Sequence, residues 1–171
     1  MTIEQFKKDF DKQLAAMSDE EIIQDFKDLG CDVEIRKPNL VILRGSSGCG
    51  KSSVAMLFGG ELAICCADDY FYDELGKYNF NPDLLGKAHE RCREKFLYAL
   101  DNPELFDTIV VANTNTKISE FQFYIDEAER RGIMVFSLVV EKRHNGTNSH
   151  GVPESVIDRH VENIKNSLKL K

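Results

Sequence analysis

The segment at residues 45–53, GSSGCGKSS, constrains this chain more than any other. It stands between two apolar runs, LVILR and VAMLF. Gly45, Gly50, Lys51 and Ser52 fit the pattern G-x-x-x-x-G-K-[ST], set between an expected strand and an expected helix. Glycines let such a loop curl until its backbone N–H groups face inward around phosphate oxygens. The helix that follows, expected at 52–58, would add the partial positive charge of its N-terminus. Ser46, Ser47, Gly48, Cys49 and Ser53 complete a cradle for a nucleoside triphosphate. Lys51 is expected to reach the outer phosphates and Ser52 to hold Mg²⁺. Cys49 reads as a space-filling residue whose place near a helix N-terminus also makes it a candidate for oxidation.

The rest of the chain supplies the frame such a loop needs. Leu40 to Leu43, LAICC ending at Ala67, TIVVA and IMVFSLVV read as buried strands. Between them lie helical patterns. One is the long run opened by Asn81 as cap and Pro82 at its first position. A second spans 119–131 and is closed by Gly132, and a third is opened by Pro153. Short, continuously apolar strands alternating with helices indicate an α/β fold with a mainly parallel sheet covered on both faces. Residues 1–38 form a separate expectation, an N-terminal helical extension packed on the core domain of 39–171. There Ile3, Phe6, Phe10 and Leu14 recur at helical spacing. Ser18 with Glu21 then opens a second apolar stripe as a capping box. These helices are also the candidate surface for a protein partner.

Composition narrows the setting. In 171 residues, 42% are hydrophobic and 30% charged, as in an ordinary globular protein. No apolar run approaches the ~18 residues of a membrane span, and the first residues lack an apolar signal region, so no membrane partner is expected and the setting reads as cytoplasmic. The five cysteines form no C-x-x-C pair, which favours reduced thiols over zinc or disulfides. A net charge of −7 argues against a general nucleic-acid coat but not against a local basic pocket.

A phosphate loop does not name the acceptor. In parallel sheets ligands lie beyond the carboxyl ends of the strands. The second strand ends in ADDY, so Asp68 and Asp69 emerge beside the loop. Phosphoryl transfer needs a carboxylate to orient the acceptor hydroxyl and take its proton, and Asp68 is the candidate base. Asp69 would turn toward Mg²⁺ or cap a turn. Tyr70, beside them, is a candidate acceptor contact. The third strand ends in ANTNT, whose Asn113, Thr114 and Asn115 could bond the γ-phosphate or the attacking group, or serve as turn residues. After the fourth strand, Lys142, Arg143 and His150 lie in a polar, glycine-containing loop suited to a mobile lid. A cation there would stabilise charge on the transferring group, and Arg143 is the candidate. His89 on the long helix is a further candidate for substrate contact.

Taken in order, GSSGCGKSS, ADDYF, Y-N-F, AHERC, ANTNT--SEF--Y---A and NSHGVPESVI resemble the polynucleotide-kinase-like P-loop phosphotransferases over residues 40–168. The resemblance implies a P-loop NTPase fold with a four-stranded parallel sheet sandwiched by helices and ATP as donor. It also implies a 5′-hydroxyl of DNA or RNA as acceptor, Asp68 as base and a lid arginine over the phosphates. Members of this family occur in phages, and a phage protein acting in the host cytoplasm is the corresponding expectation. The chain departs from the family pattern at Ala112, where D-N-T-N is usual. It departs again at Thr147, where the lid arginine is usual, and at Phe71, where phage members tend to carry a basic residue. No D-x-D-G-T, H-x-T or K-x-D-G signature of the partner activities occurs, and no N-K-x-D guanine reader. Two alternatives to a polynucleotide kinase stay open: a nucleotide or small-molecule kinase, and a non-catalytic ATP-binding module.

Overall fold

The computed structural model describes residues 37–145 and 151–168 and, among the first 36, positions 5, 17, 18, 21, 24, 25, 28 and 29. The chain divides into two units, Met1–Ile35 and Arg36–Lys171. Most of the two helices expected in the first unit lies outside the described residues. The cap between them is described: Ser18 N donates to Glu21 Oε2 at 2.9 Å and Glu21 N to Ser18 Oγ at 3.3 Å. This reciprocal pair satisfies two backbone donors at a helix start.

The second unit is an α/β fold on a four-stranded sheet. Its strands are β1 (Asn39–Arg44), β2 (Ile64–Cys65), β3 (Thr108–Val111) and β4 (Val135–Val139), in the order β2-β3-β1-β4. Every pairing is parallel, with Ile42 beside Val111 on one side of β1 and Ser137 on the other. Among the described residues, four helices connect and flank them: α1 (Lys51–Ala55), α2 (Leu85–Asp101), α3 (Ile118–Arg130) and α4 (Glu154–Ser167).

Alternation along the strands divides the core in two. Leu40, Ile42, Cys65, Ile109 and Val111 face α2 and α3, which contribute Ala88, Cys92, Phe96, Phe121, Tyr124 and Ala128. Small residues on α2 let it approach the sheet closely. Phe96 is fully buried, and its ring meets Tyr124 edge-on at 5.0 Å. The opposite face is thinner: Val41, Leu43, Val110 and Ala112 pack on Ala55 of α1. Adjacent Cys65 and Cys66 fall on opposite faces, as a strand requires. Burial pushes both thiols up to about 12. The described cysteines, 49, 65, 66 and 92, are all free.

Three elements differ from their expected form. The second strand is only Ile64–Cys65, because Glu61–Ala63 ahead of it coils into a single helical turn after Gly60. The loop helix stops at Ala55 rather than Phe58. Leu57 N bonds to Val54 O and Phe58 N to Ala55 O, so the chain tightens into a turn before Gly59. β4, expected to be buried, is an edge strand with Phe136, Leu138 and Val139 exposed. Its apolar composition reflects β propensity without full burial. The other boundaries agree. Asn81 caps the turn Pro82–Leu84 ahead of α2, with Asp83 N donating to its Oδ1 at 2.9 Å. Gly132 follows α3 with φ of 65°. Among the described residues no helix is long and apolar enough to cross a membrane.

Candidate active site

The glycine loop leaves the carboxyl end of β1, the central strand between β3 and β4. Its root is fixed from both sides. Gly45 N donates to Thr114 O at 3.0 Å, and Val140 N donates to Arg44 O at 2.7 Å. Arg44 itself is buried. Its guanidinium bonds Asn115 O at 3.0 Å, donates to Ser167 Oγ and lies 4.7 Å over the Phe121 ring. Burial holds its pKa below the usual arginine range, while the Glu120 charge opposes that shift. The loop is thus braced by a cation that belongs to the frame and not to the cleft.

Two glycines are required by geometry. A Cβ at Gly45 would lie 2.4 Å from Cys49 Sγ and 3.0 Å from Val140 O, so only a bare Cα fits. Gly50, with φ of 99°, takes the left-handed conformation at the start of α1. Cys49 is buried beneath the loop against Gly45, which gives its thiol a packing role and shields it from solvent. Lys51 Nζ donates to Gly45 O at 3.1 Å and Ser46 O at 2.9 Å, so its ammonium is held at the loop.

Beyond the loop opens a cleft of about 480 Å³. Ser47, Gly48, Gly50, Lys51, Ser52 and Ser53 of the loop line it together with Cys66, Asp68, Asp69 and Tyr72 after β2, Ala112 and Thr114 after β3, and His144 after β4. The two aspartates sit on the helical turn Ala67–Phe71 that follows β2. Asn113 pins that turn. Its Oδ1 accepts from Ala67 N at 2.8 Å, and its Nδ2 donates to Cys92 Sγ at 3.5 Å. Tyr78 OH donates to Asp68 Oδ1 at 3.4 Å. Burial first, then the Asp68 charge, pushes the Tyr78 phenol up to about 12, so it stays a donor through the neutral range. Surrounding protein raises the Asp69 carboxyl above its usual value. Its neighbour Asp68 adds to the shift, and Lys95 at 3.9 Å opposes it.

The cleft therefore gathers nine of the expected residues: Ser47, Gly48, Gly50, Lys51, Ser52, Ser53, Asp68, Asp69 and Thr114. Gly45, Ser46 and Cys49 support the loop from behind. Asn115 is buried under the sheet end in a left-handed conformation, φ 48°, with Nδ2 bonded to Leu43 O at 2.8 Å. Tyr70 lines a neighbouring cavity of about 600 Å³ with Arg91, Lys95 and Tyr98, which shares Cys66 and Asp69 with the cleft. His89, half-buried on α2, is held below the ordinary imidazole value chiefly by burial, with Arg93 adding and Asp68 opposing. Arg143 Nη2 pairs with Glu141 Oε1 at 2.9 Å on the exposed surface. His150, with Thr147, lies outside the described residues. Sequence reasoning missed three lining residues, Cys66, Tyr72 and His144. Nothing in a polar loop sequence says which of Lys142, Arg143 and His144 turns inward.

A parallel sheet in the order β2-β3-β1-β4, with a glycine loop beyond its central strand, defines an α/β protein of the P-loop NTPase type. No family model matches the chain. Among solved structures it is similar to a chain of the Pnkp1/Rnl/Hen1 RNA repair complex, at 21% identity and a TM-score of 0.58. The match covers 80% of this chain and 47% of that one, so this chain spans less than half the length of the protein it resembles. A match to APS kinase CysC from Mycobacterium tuberculosis, in complex with AMPPNP and APS, has 19% identity and a TM-score of 0.43 over 61% of this chain and 63% of that one. At 21% identity the likeness to the RNA repair chain is one of fold.

Proposed function

We propose that this chain is an ATP-dependent phosphotransferase that moves the γ-phosphate to a hydroxyl, the 5′-hydroxyl of a polynucleotide end. The observation that carries this reading is the juxtaposition, in one cleft, of Lys51 and the loop amides with Asp68. A triphosphate receptor needs the loop, whereas only an acceptor hydroxyl needs the carboxylate. In this reading the loop amides hold the phosphates, and Lys51 exchanges its loop carbonyls for phosphate oxygens. Asp68, oriented by Tyr78, accepts the proton of the attacking hydroxyl. Ser52 and Asp69 fit Mg²⁺, a cation that takes oxygen ligands and needs few from protein when phosphates supply the rest. Once bound there it would neutralise charge on the transferring group.

The choice of acceptor rests on the motif string and on the fold likeness to a chain of an RNA repair complex. One observation favours a second reading, a nucleotide-binding module without transfer: Ala112 lines the cleft at the end of β3, where the resembled family carries a carboxylate. A single experiment separates the two. ATP labelled in its γ-phosphate is offered with 5′-hydroxyl DNA, 5′-hydroxyl RNA, nucleosides and nucleotides in parallel. Label on a polynucleotide end supports the proposal, and label on a nucleoside or nucleotide alone moves the acceptor to a small molecule. ATP binding with no transfer to any acceptor supports the module.

A further inference from the structure

We propose that His144 is a phosphate ligand of the cleft, and that it, rather than Arg143, is the side chain through which the segment after β4 reads the outer phosphates of the nucleotide. The inference rests on the phosphate-loop reading and adds a residue to it.

The segment leaves the sheet where it must meet the loop, because Val140 N is bonded to Arg44 O immediately before Gly45. Its ionisable side chains then part company. Arg143 turns outward to Glu141, and Lys142 is exposed and does not line the cleft. His144, exposed like its neighbours, alone of the three lines the cleft beside Lys51, Ser52 and Asp68. Contact with the loop is close: a Cβ built on Gly50 would stand 3.1 Å from His144 Nε2. The imidazole edge thus rests on the bare Cα from which α1 starts, and Nε2 is the atom beside the loop. Gly50 serves twice, by its positive φ and by leaving room for this ring.

An imidazole N–H is a hydrogen-bond donor in the neutral ring, and both nitrogens donate in the cation. Placed here, Nε2 joins the loop amides and Lys51 in facing the same oxygens. The charged groups around it are Lys51 on α1 and Asp68 and Asp69 on the turn after β2. Glu141, Lys142 and Arg143 share its own segment. A triphosphate brings more negative charge than these carboxylates. The donor is therefore worth most for the outer phosphates and little for a monophosphate.

The test is the dissociation constant of ATP, inorganic tripolyphosphate and AMP, each with Mg²⁺, measured calorimetrically. The proteins are wild type, His144→Ala, His144→Phe, His144→Gln and Lys51→Ala, with thermal midpoints as folding controls. His144→Ala and His144→Phe should both weaken ATP and tripolyphosphate about tenfold, the size of one charge-assisted hydrogen bond. AMP should change little, and His144→Gln, which keeps an N–H donor, should lose less. Wild-type affinity in His144→Phe would mean that the ring only packs on Gly50, which overturns the inference. An equal loss for AMP would do the same. If Lys51→Ala weakens tripolyphosphate and no His144 variant does, the inference alone falls. If none of the variants alters binding, the phosphate-loop reading falls and takes the inference with it.

Discussion

At the scale of single residues, the chemistry depends on a division of labour between two adjacent carboxylates. Asp68 accepts a bond from Tyr78, and Asp69 faces Lys95 with its carboxyl raised by the surrounding protein. Among the described residues Asp68 accepts a hydrogen bond, whereas Asp69 meets Lys95 only as an ion pair at 3.9 Å. Asp68→Asn should therefore lower kcat by roughly 10²–10⁴, the range for loss of a general base, while ATP affinity stays near wild type. Steady-state turnover and ATP binding, measured together, check this. Near-normal turnover rejects the role, and a comparable loss in Asp69→Asn alone reassigns it. Gly45 gives a second prediction at this scale. A methyl there would meet Cys49 Sγ at 2.4 Å and Val140 O at 3.0 Å, so Gly45→Ala must displace the loop. Triphosphate affinity should fall by tenfold or more, about 1.4 kcal/mol or above. Cys49→Ala should restore part of it by removing the nearer obstacle. No recovery in the double variant would mean that the carbonyl, and not the thiol, sets the limit.

At the scale of elements, the cleft is only as good as the sheet and helices that hold its walls. α2 carries Phe96, fully buried against the sheet, and Cys92, which bonds Asn113 and so the turn bearing the aspartates. Phe96→Ala should destabilise the fold by about 3–5 kcal/mol, the cost of emptying a core aromatic site. Chemical denaturation gives the number, and a loss below about 1 kcal/mol would mean that the helix repacks. Much of this framework was legible in the sequence. The loop motif, Asn81 and Pro82 ahead of α2, Gly132 after α3 and the apolar strands each have a local physical cause. β2, α1 and β4 were less legible, because their extent depends on tertiary context. LA in LAICC is as apolar as the strand beside it, yet the turn after Gly60 claims it. β4 looks buried by composition but lies at an edge. In the site, residue types at fixed motif offsets were found, whereas side-chain direction was not. Asn115 points into the backbone of β1, Arg143 to Glu141 and His144 into the cleft. None of those choices leaves a trace in the local sequence.

At the scale of the whole molecule, buried and half-buried titratable groups shape the pH window of stability. His89 and His160 are both held below the ordinary imidazole value, chiefly by burial, which favours their neutral forms in the fold. Their contribution is present above the unfolded value near pH 6.5 and is lost as pH falls through the lower folded values. Cys65 and Cys66 are pushed up to about 12. Their contribution is present below the unfolded value near 8.5 and is lost as pH rises toward 12. Thermal midpoints should therefore peak between about pH 7 and 8.5, and His160→Gln should flatten the acid limb. An unchanged acid limb in that variant would remove His160 from the account. Across the molecule as a whole, the central claim is that one cleft joins a triphosphate to an acceptor hydroxyl. The most direct test is the rate of γ-phosphate transfer from ATP to 5′-hydroxyl oligonucleotides by wild type, Lys51→Ala and Asp68→Asn. Wild type should transfer the phosphate measurably, both variants should lose transfer, and Lys51→Ala alone should lose ATP affinity. Transfer at the wild-type rate by either variant, or ATP affinity unchanged in Lys51→Ala alongside normal turnover, would contradict the central claim.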